Sequence, residues 1–208
     1  MSLCCDVLKA LQGKTLVTAE SLTGGGIGAA LTQVPGSSEV YKGGVICYTN
    51  WVKENILDVP GEILAQDGAV SLRTAEHLAS GVRALLKADA AVAVTGLAGP
   101  GGDEFGHSVG TVFIGYQDAA HSDAREYHLS GDREAVRNQT IEAEVDEFNF
   151  VTHLFANGPD KVHIKTSIFF RAFFLEFKRC KSRFSAHTQN FCRFSFFSFF
   201  FAAATGYH

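Results

Sequence analysis

Apolar side chains at Leu3, Val7, Leu8 and Leu11 recur at helical spacing, which predicts a first helix over residues 3–12. The run Thr15 to Ala19 is β-branched and apolar, as a buried strand requires. After the turn-like ESLTGGG, residues 27–34 regain a helical pattern, which Pro35 and Gly36 stop. Gly43 to Tyr48 predicts a second strand, and Asn50 is placed to cap a helix from Trp51 to Leu57. Ser71 opens a long amphipathic helix, LRTAEHLASGVRALLK. Ala88 to Thr95 predicts a third buried strand, and Gly96 to Gly106 a glycine-rich loop. Val109 to Tyr116 and Ala124 to Leu129 alternate as an antiparallel pair, and Asp132 caps a last helix, REAVRNQTIEA. Helices alternating with short apolar strands predict a layered α/β domain. The last two strands lack a helix between them, so the sheet is expected to be mixed.

The pattern ends near Glu144. Of the 18 phenylalanines, 16 lie between Phe148 and Phe201, among Ser, Lys and Arg with no sustained period. Residues 1–148 carry 20 acidic and 10 basic side chains, whereas residues 149–208 carry 2 and 8. Two regions are therefore expected: a domain over 1–143 and an atypical basic, Phe-rich tail over 144–208 outside the family fold. The stretch FSFFSFFF offers neither a face to bury nor a face to solvate. The abrupt change in composition fits a shifted reading frame or a foreign segment. A reading in which this tail governs the product, making it unstable or surface-adhering, stands as a third possibility.

The formal charge of -4 argues against a general nucleic-acid binder. The five cysteines form no CxxC pair and no Cys/His spacing of a zinc site, so no metal or cofactor is called for. An odd count without a framework suits a reducing, cytoplasmic setting. No signal peptide is read at the N-terminus, and no stretch reaches the roughly 18 apolar residues of a membrane span. Oligomeric state is left open, a homo-oligomer included.

Three clusters could carry chemistry. Thr18-Ala19-Glu20-Ser21-Leu22-Thr23-Gly24-Gly25-Gly26 sits at a strand-to-helix junction, where open α/β sheets bind ligands and helix-start N–H groups can hold a phosphate or an oxyanion. Its plainer reading makes Ser21 or Thr23 a helix N-cap. Gly43 to Lys53 is the second, in which Tyr48 taken alone reads as a core-edge aromatic. A lysine at a helix start, with some burial, has its proton affinity lowered toward that of a useful base, while the plainer reading is a solvated lysine. The third, Thr95 to Gly102, is neither a GxGxxG fingerprint nor a GxxxxGK[ST] loop, and is either a surface loop or a ligand contact.

Taken in order, VTAESLTGG, VPGSSEVYKGGVICYTNWVKENIL, DGAVS, AVTGLAGPGG, VGTVFI and GDREAVRNQT resemble the CinA C-terminal domain family, which includes nicotinamide-nucleotide amidases. The resemblance implies a three-layer α/β/α sandwich with a mixed, mostly parallel sheet. It implies hydrolysis of nicotinamide mononucleotide to nicotinic acid mononucleotide and ammonia by a serine–lysine mechanism. The small-molecule nucleotide is then the partner, with no nucleic acid and no membrane span. Carried over by position, the nucleophile falls on Ser21, the general base on Lys53 and a supporting hydroxyl on Tyr48. Substrate contacts are expected from Thr23, Gly24, Gly25, Asn50, Thr95, Gly99, Pro100 and Gly101. Arg133, Arg137 and the Gly99–Gly102 amides are candidates for the phosphate. Leu22 stands where the family usually has Cys, and His107-Ser108 where it commonly has Lys-Pro. The alternative reading is a non-catalytic nucleotide-binding module of the same fold.

Overall fold

The computed structural model describes residues 3–143; the expectations for the tail concern residues outside them. Helix α1 (Leu3–Ala10) leads into β1 (Leu16–Glu20), α2 (Gly26–Thr32), a 3-10 turn (Ser37–Glu39) and β2 (Tyr41–Ile46). Then come α3 (Asn50–Leu57), α4 (Gly61–Gln66), α5 (Leu72–Leu86), β3 (Ala90–Gly96), β4 (Thr111–Gln117) and β5 (Ser122–His128). Residues 133–143 are again helical and are called α6.

The five strands form one sheet in the order β2-β1-β3-β4-β5. β1 pairs in parallel with β2 and with β3, and β4 runs antiparallel to both its neighbours. Four strands thus share one direction and β4 alone is reversed, giving the mixed sheet the pattern predicts.

Strand alternation sorts the core into two layers. Leu16 on β1, Ala90, Val92 and Val94 on β3, and Val112 and Ile114 on β4 pack with Val7 and Leu8 of α1, Ile27 and Leu31 of α2, and Val136 of α6. Their neighbours Val17, Ala19, Ala91 and Ala93 pack on the opposite face with Leu57 of α3 and Leu78, Ala79 and Val82 of α5. Helices cover both faces, so the architecture is three-layer α/β/α.

The caps explain where the helices start. Ser71 Oγ accepts from Thr74 N at 3.2 Å, and Asp132 Oδ1 accepts from Ala135 N at 2.9 Å, as the sequence predicts. The cap of α3 differs from expectation. Thr49 holds it, with extended φ/ψ of -103° and 156° and its side chain facing Val52 N, while Asn50 is already helical. The short α4 is not visible in the sequence pattern, and β2 begins two residues earlier than predicted because Leu16 of β1 aligns with Tyr41.

Three parallel strands end on one edge of the sheet, and their carboxyl ends deliver Ser21, Cys47 and Leu97. Two backbone bonds extend the ladder there: Ser21 N donates to Val94 O at 3.0 Å, and Cys47 N to Glu20 O at 2.9 Å. That edge is where open α/β sheets bind ligands.

Gly81 lies where α5 passes the end of α3, and a Cβ on it would overlap the Leu57 carbonyl oxygen. Alanine there would gain about 1 kcal/mol in helix propensity, but overpacking against backbone costs about 1–3 kcal/mol. Gly81→Ala is therefore expected to lower the urea midpoint, while Ser80→Ala, one exposed residue earlier, leaves it level or raises it. A higher midpoint for Gly81→Ala would show that the two helices are not in close contact.

Candidate active site

The turn that carries Ser21 starts at the last residue of β1. Glu20 is buried, and its carboxylate lies over the start of α2. Oε2 accepts from Thr23 Oγ1 at 2.7 Å and from the amides of Gly25 and Ile27, each at 3.0 Å. Oε1 accepts from Gly28 N at 2.8 Å and from Thr18 Oγ1 at 3.4 Å. The N-cap residue of α2, Gly25, offers no side chain, and its φ of 98° places it in the left-handed region that glycine favours. Glu20 supplies the missing acceptor from five residues upstream. The expectation that this helix start is free to hold a phosphate is corrected accordingly: a carboxylate of the protein already takes its N–H groups.

Ser21 is buried, and Lys53 is only 1% exposed despite its charge-bearing end. The Lys53 Nζ donates to Cys47 O at 2.6 Å and to Ser21 Oγ at 3.2 Å. Among the described residues it makes no ion pair with a carboxylate. Burial therefore holds the amine below the usual lysine range, and Cys47 acts in the opposite direction. The adjacent Cys47 thiol is itself pushed up to about 11 by burial, with Lys53 partly offsetting the rise. A buried, protonated thiol is a poor nucleophile, so Ser21 has no rival beside Lys53.

The other residues read from the sequence divide into two groups. The first group is joined by the arginines of α6. Arg137 Nε donates to Leu22 O at 3.0 Å and its Nη2 to Thr23 O at 2.9 Å. Gly24 lies against Arg137 Nη2. Arg133 Nη1 donates to Gly99 O at 2.6 Å, and its Nη2 to the Tyr48 hydroxyl at 3.1 Å. Arg133 and Arg137, one turn apart, thus tie the loops after β1, β2 and β3 together. The Tyr48 hydroxyl is bonded to Arg133 rather than to Ser21 or Lys53, and its ring is exposed.

The second group is placed otherwise. Thr95 is buried, and its hydroxyl donates to Ala69 O at 2.6 Å, which anchors the segment before α5. Thr23 is also fully buried, facing Glu20. Asn50, Pro100 and Gly101 are exposed at the rim. Leu22, at the position where Cys is usual, packs into the core. At the Lys-Pro position, His107 Nδ1 lies 2.9 Å from Asp103 Oδ2, and the amides of Phe105 and His107 donate to Asp103 Oδ1. Sequence reasoning missed Glu20. The sequence signal was indirect: a helix opening on three glycines with no capping side chain needs an acceptor from elsewhere, but that pattern does not name Glu20.

Among the described residues no group of three His, Cys, Asp or Glu is placed to hold a metal ion, and no helix is long and apolar enough to cross a membrane.

The family model of the CinA C-terminal domain matches residues 2–150. A CinA-like protein of Parasynechococcus marenigrum (strain WH8102) is 46% identical over 144 residues, which is 67% of this chain and 34% of that protein. The chain spans about a quarter to a third of the length of the curated relatives it matches. A crystal structure of a competence-damaged protein (CinA) superfamily protein from Klebsiella pneumoniae 700603 superposes with a TM-score of 0.71 at 33% identity, covering 73% of this chain and 96% of that one. A competence/damage inducible protein from Agrobacterium tumefaciens gives 0.69 at 34% identity, covering 73% and 93%.

The depressed proton affinity of Lys53 has a thermodynamic consequence. In the unfolded chain the amine titrates at its ordinary value, and in the folded chain below it. Between the two the unfolded state holds more protons, so this group makes stability rise with pH across that window. Measured by urea unfolding from pH 7 to 10, the free-energy difference between the native chain and Lys53→Met is expected to shift in favour of the native chain as pH rises. A difference independent of pH would show that the folded amine titrates normally.

Proposed function

The chain belongs to the CinA C-terminal domain family, and from that premise we propose that it is an amidohydrolase converting nicotinamide mononucleotide to nicotinic acid mononucleotide and ammonia. The observation that carries this reading is the contact between two buried groups, Lys53 Nζ and Ser21 Oγ, at 3.2 Å. An amine that burial biases toward its neutral form has a lone pair to offer, and the hydroxyl beside it becomes the donor.

Neutral Lys53 takes the Ser21 proton as Oγ bonds to the carboxamide carbon. The carbonyl oxygen becomes an oxyanion held by backbone N–H groups, each worth several kcal/mol in comparable sites. The carbon–nitrogen bond then breaks, and Lys53 returns the proton so that ammonia leaves. Water attacks the resulting ester with Lys53 again accepting a proton. Ser21 departs with that proton, and the acid form of the nucleotide is released. The step needs neither a metal nor a redox group. Each arginine of α6 spends two of its five N–H groups on carbonyl or hydroxyl oxygens, and the rest are donors for the substrate phosphate. Tyr48 supports the substrate from the rim, and the reaction belongs to pyridine nucleotide salvage in the cytoplasm.

Ammonia release from nicotinamide mononucleotide tests the reading. The native chain is expected to turn over, and Ser21→Ala and Lys53→Ala to lose on the order of 10⁴-fold or more in kcat. Lys53→Arg, which keeps its charge at any working pH, is expected to be as inactive as Lys53→Ala. In the native chain kcat/KM should rise with pH through the depressed lysine value. A folded native chain that binds the nucleotide without releasing ammonia would instead identify a binding module of the same fold.

A further inference from the structure

We infer that Glu20 is a positioning residue for the Ser21–Lys53 pair, and that it leaves the amides of Leu22 and Thr23 as the donors for the oxyanion. The chemical part of this inference rests on the amidase reading; the geometric part does not.

The case starts from an inventory of N–H groups on the turn between β1 and α2. Gly25, Ile27 and Gly28 donate to the Glu20 carboxylate. Gly24 donates to Ser21 O at 3.2 Å, and Gly26 to Thr23 O at 3.2 Å. Ser21 donates to Val94 O. Among the described residues, the amides of Leu22 and Thr23 find no protein acceptor, and they directly follow the nucleophile. A donor that waits without an acceptor beside a reacting centre stabilises charge that appears there, because no bond must break first.

Two anchors fix the peptide between these residues. Arg137 Nε holds the Leu22 carbonyl, and in a trans peptide the N–H of the next residue points the opposite way. The Thr23 amide is therefore directed away from Arg137. Its own side chain is held by Glu20 Oε2 at 2.7 Å. Glu20 thus connects the end of β1 to the turn and the first turn of α2 through four bonds, and Ser21 sits on the segment so clamped. Glutamine cannot replace it. Whichever way its amide is turned, an NH2 group faces backbone donors that need an acceptor.

The experiment reads Ser21 directly. A serine-directed fluorophosphonate forms a phosphorus–oxygen bond to Oγ and releases fluoride, with the hydroxyl proton passing to Lys53. Intact-mass spectrometry gives the labelling rate, and ammonia release gives kcat and KM. Because a misplacement of about 1 Å can cost roughly 10²-fold, Glu20→Gln is expected to lower labelling and kcat by about that factor. KM should stay within about twofold, since remote binding is untouched. Thr23→Val, which removes one donor to the carboxylate, should fall in the same direction, and Thr23→Ser should restore the native rate. Native-rate labelling in Glu20→Gln would overturn the inference. If Glu20→Gln does not fold, equal rates for Thr23→Val and Thr23→Ser would overturn it instead. Glu20-dependent labelling of Ser21 in a chain that releases no ammonia would uphold the positioning role and refute the amidase reading. Absence of labelling in the native chain would refute the positioning role.

Discussion

Everything at this site depends on keeping the amine of Lys53 out of water. Burying an ammonium without a counter-charge is expensive, and the group responds by giving up its proton more readily. The fold achieves this by placing three things around one nitrogen. β2 ends so that Cys47 O faces it, β1 ends so that Ser21 Oγ faces it, and α3 brings it in from its second turn. Behind them Val17, Ala19, Leu57 and Leu78 close the layer between sheet and helices. Water admitted at any of these contacts would return the amine toward its ordinary proton affinity. Packing on this face and chemistry at the sheet edge are thus one constraint.

Around that nitrogen, charge is segregated. The buried carboxylate of Glu20 faces inward and satisfies the helix start, which is the arrangement a helix N-terminus favours. The guanidinium groups of Arg133 and Arg137 lie on the other side of the turn and hold carbonyl oxygens. An incoming phosphate would be repelled by the first and attracted by the second. The helix start and the arginines, both candidate anion sites on sequence grounds, have therefore taken different roles: one is internal structure, and under the proposed function the other faces the ligand.

The pattern of apolar residues was enough to read the layers, the mixed sheet and most elements, because burial on two faces leaves an imprint on every strand. Edges were less legible. β2 starts at Tyr41 because its partner strand reaches that far, and partners are not written in a strand's own sequence. Thr49 and Asn50 are both capable caps, and only the extended backbone at Thr49 decides between them. At the site, the junctions of Ser21 and Lys53 left plainer readings open, and the family resemblance is what paired them. Glu20 was not, because three of its five partners are backbone amides, which carry no residue identity. Thr95 looked like a ligand contact because it ends a strand at the right edge, yet its hydroxyl serves Ala69.

The site is assembled from segments far apart in the chain, and α6 is what joins them. Arg137 reaches the turn after β1, while Arg133 reaches Tyr48 after β2 and Gly99 after β3. A helix presents side chains four residues apart on one face at a spacing of about 5–6 Å between Cβ atoms. Both guanidinium groups are therefore held at a fixed separation before any ligand arrives. Their bonds to carbonyl oxygens remove most of the rotamer freedom that a free arginine would lose on binding, about 2 kcal/mol for each side chain. Under the proposed function, the bonds that close the loops over Ser21 also preorganise the donors for the phosphate. Losing either arginine would then weaken binding in two ways, through the missing donor and through a loop no longer held over the nucleophile.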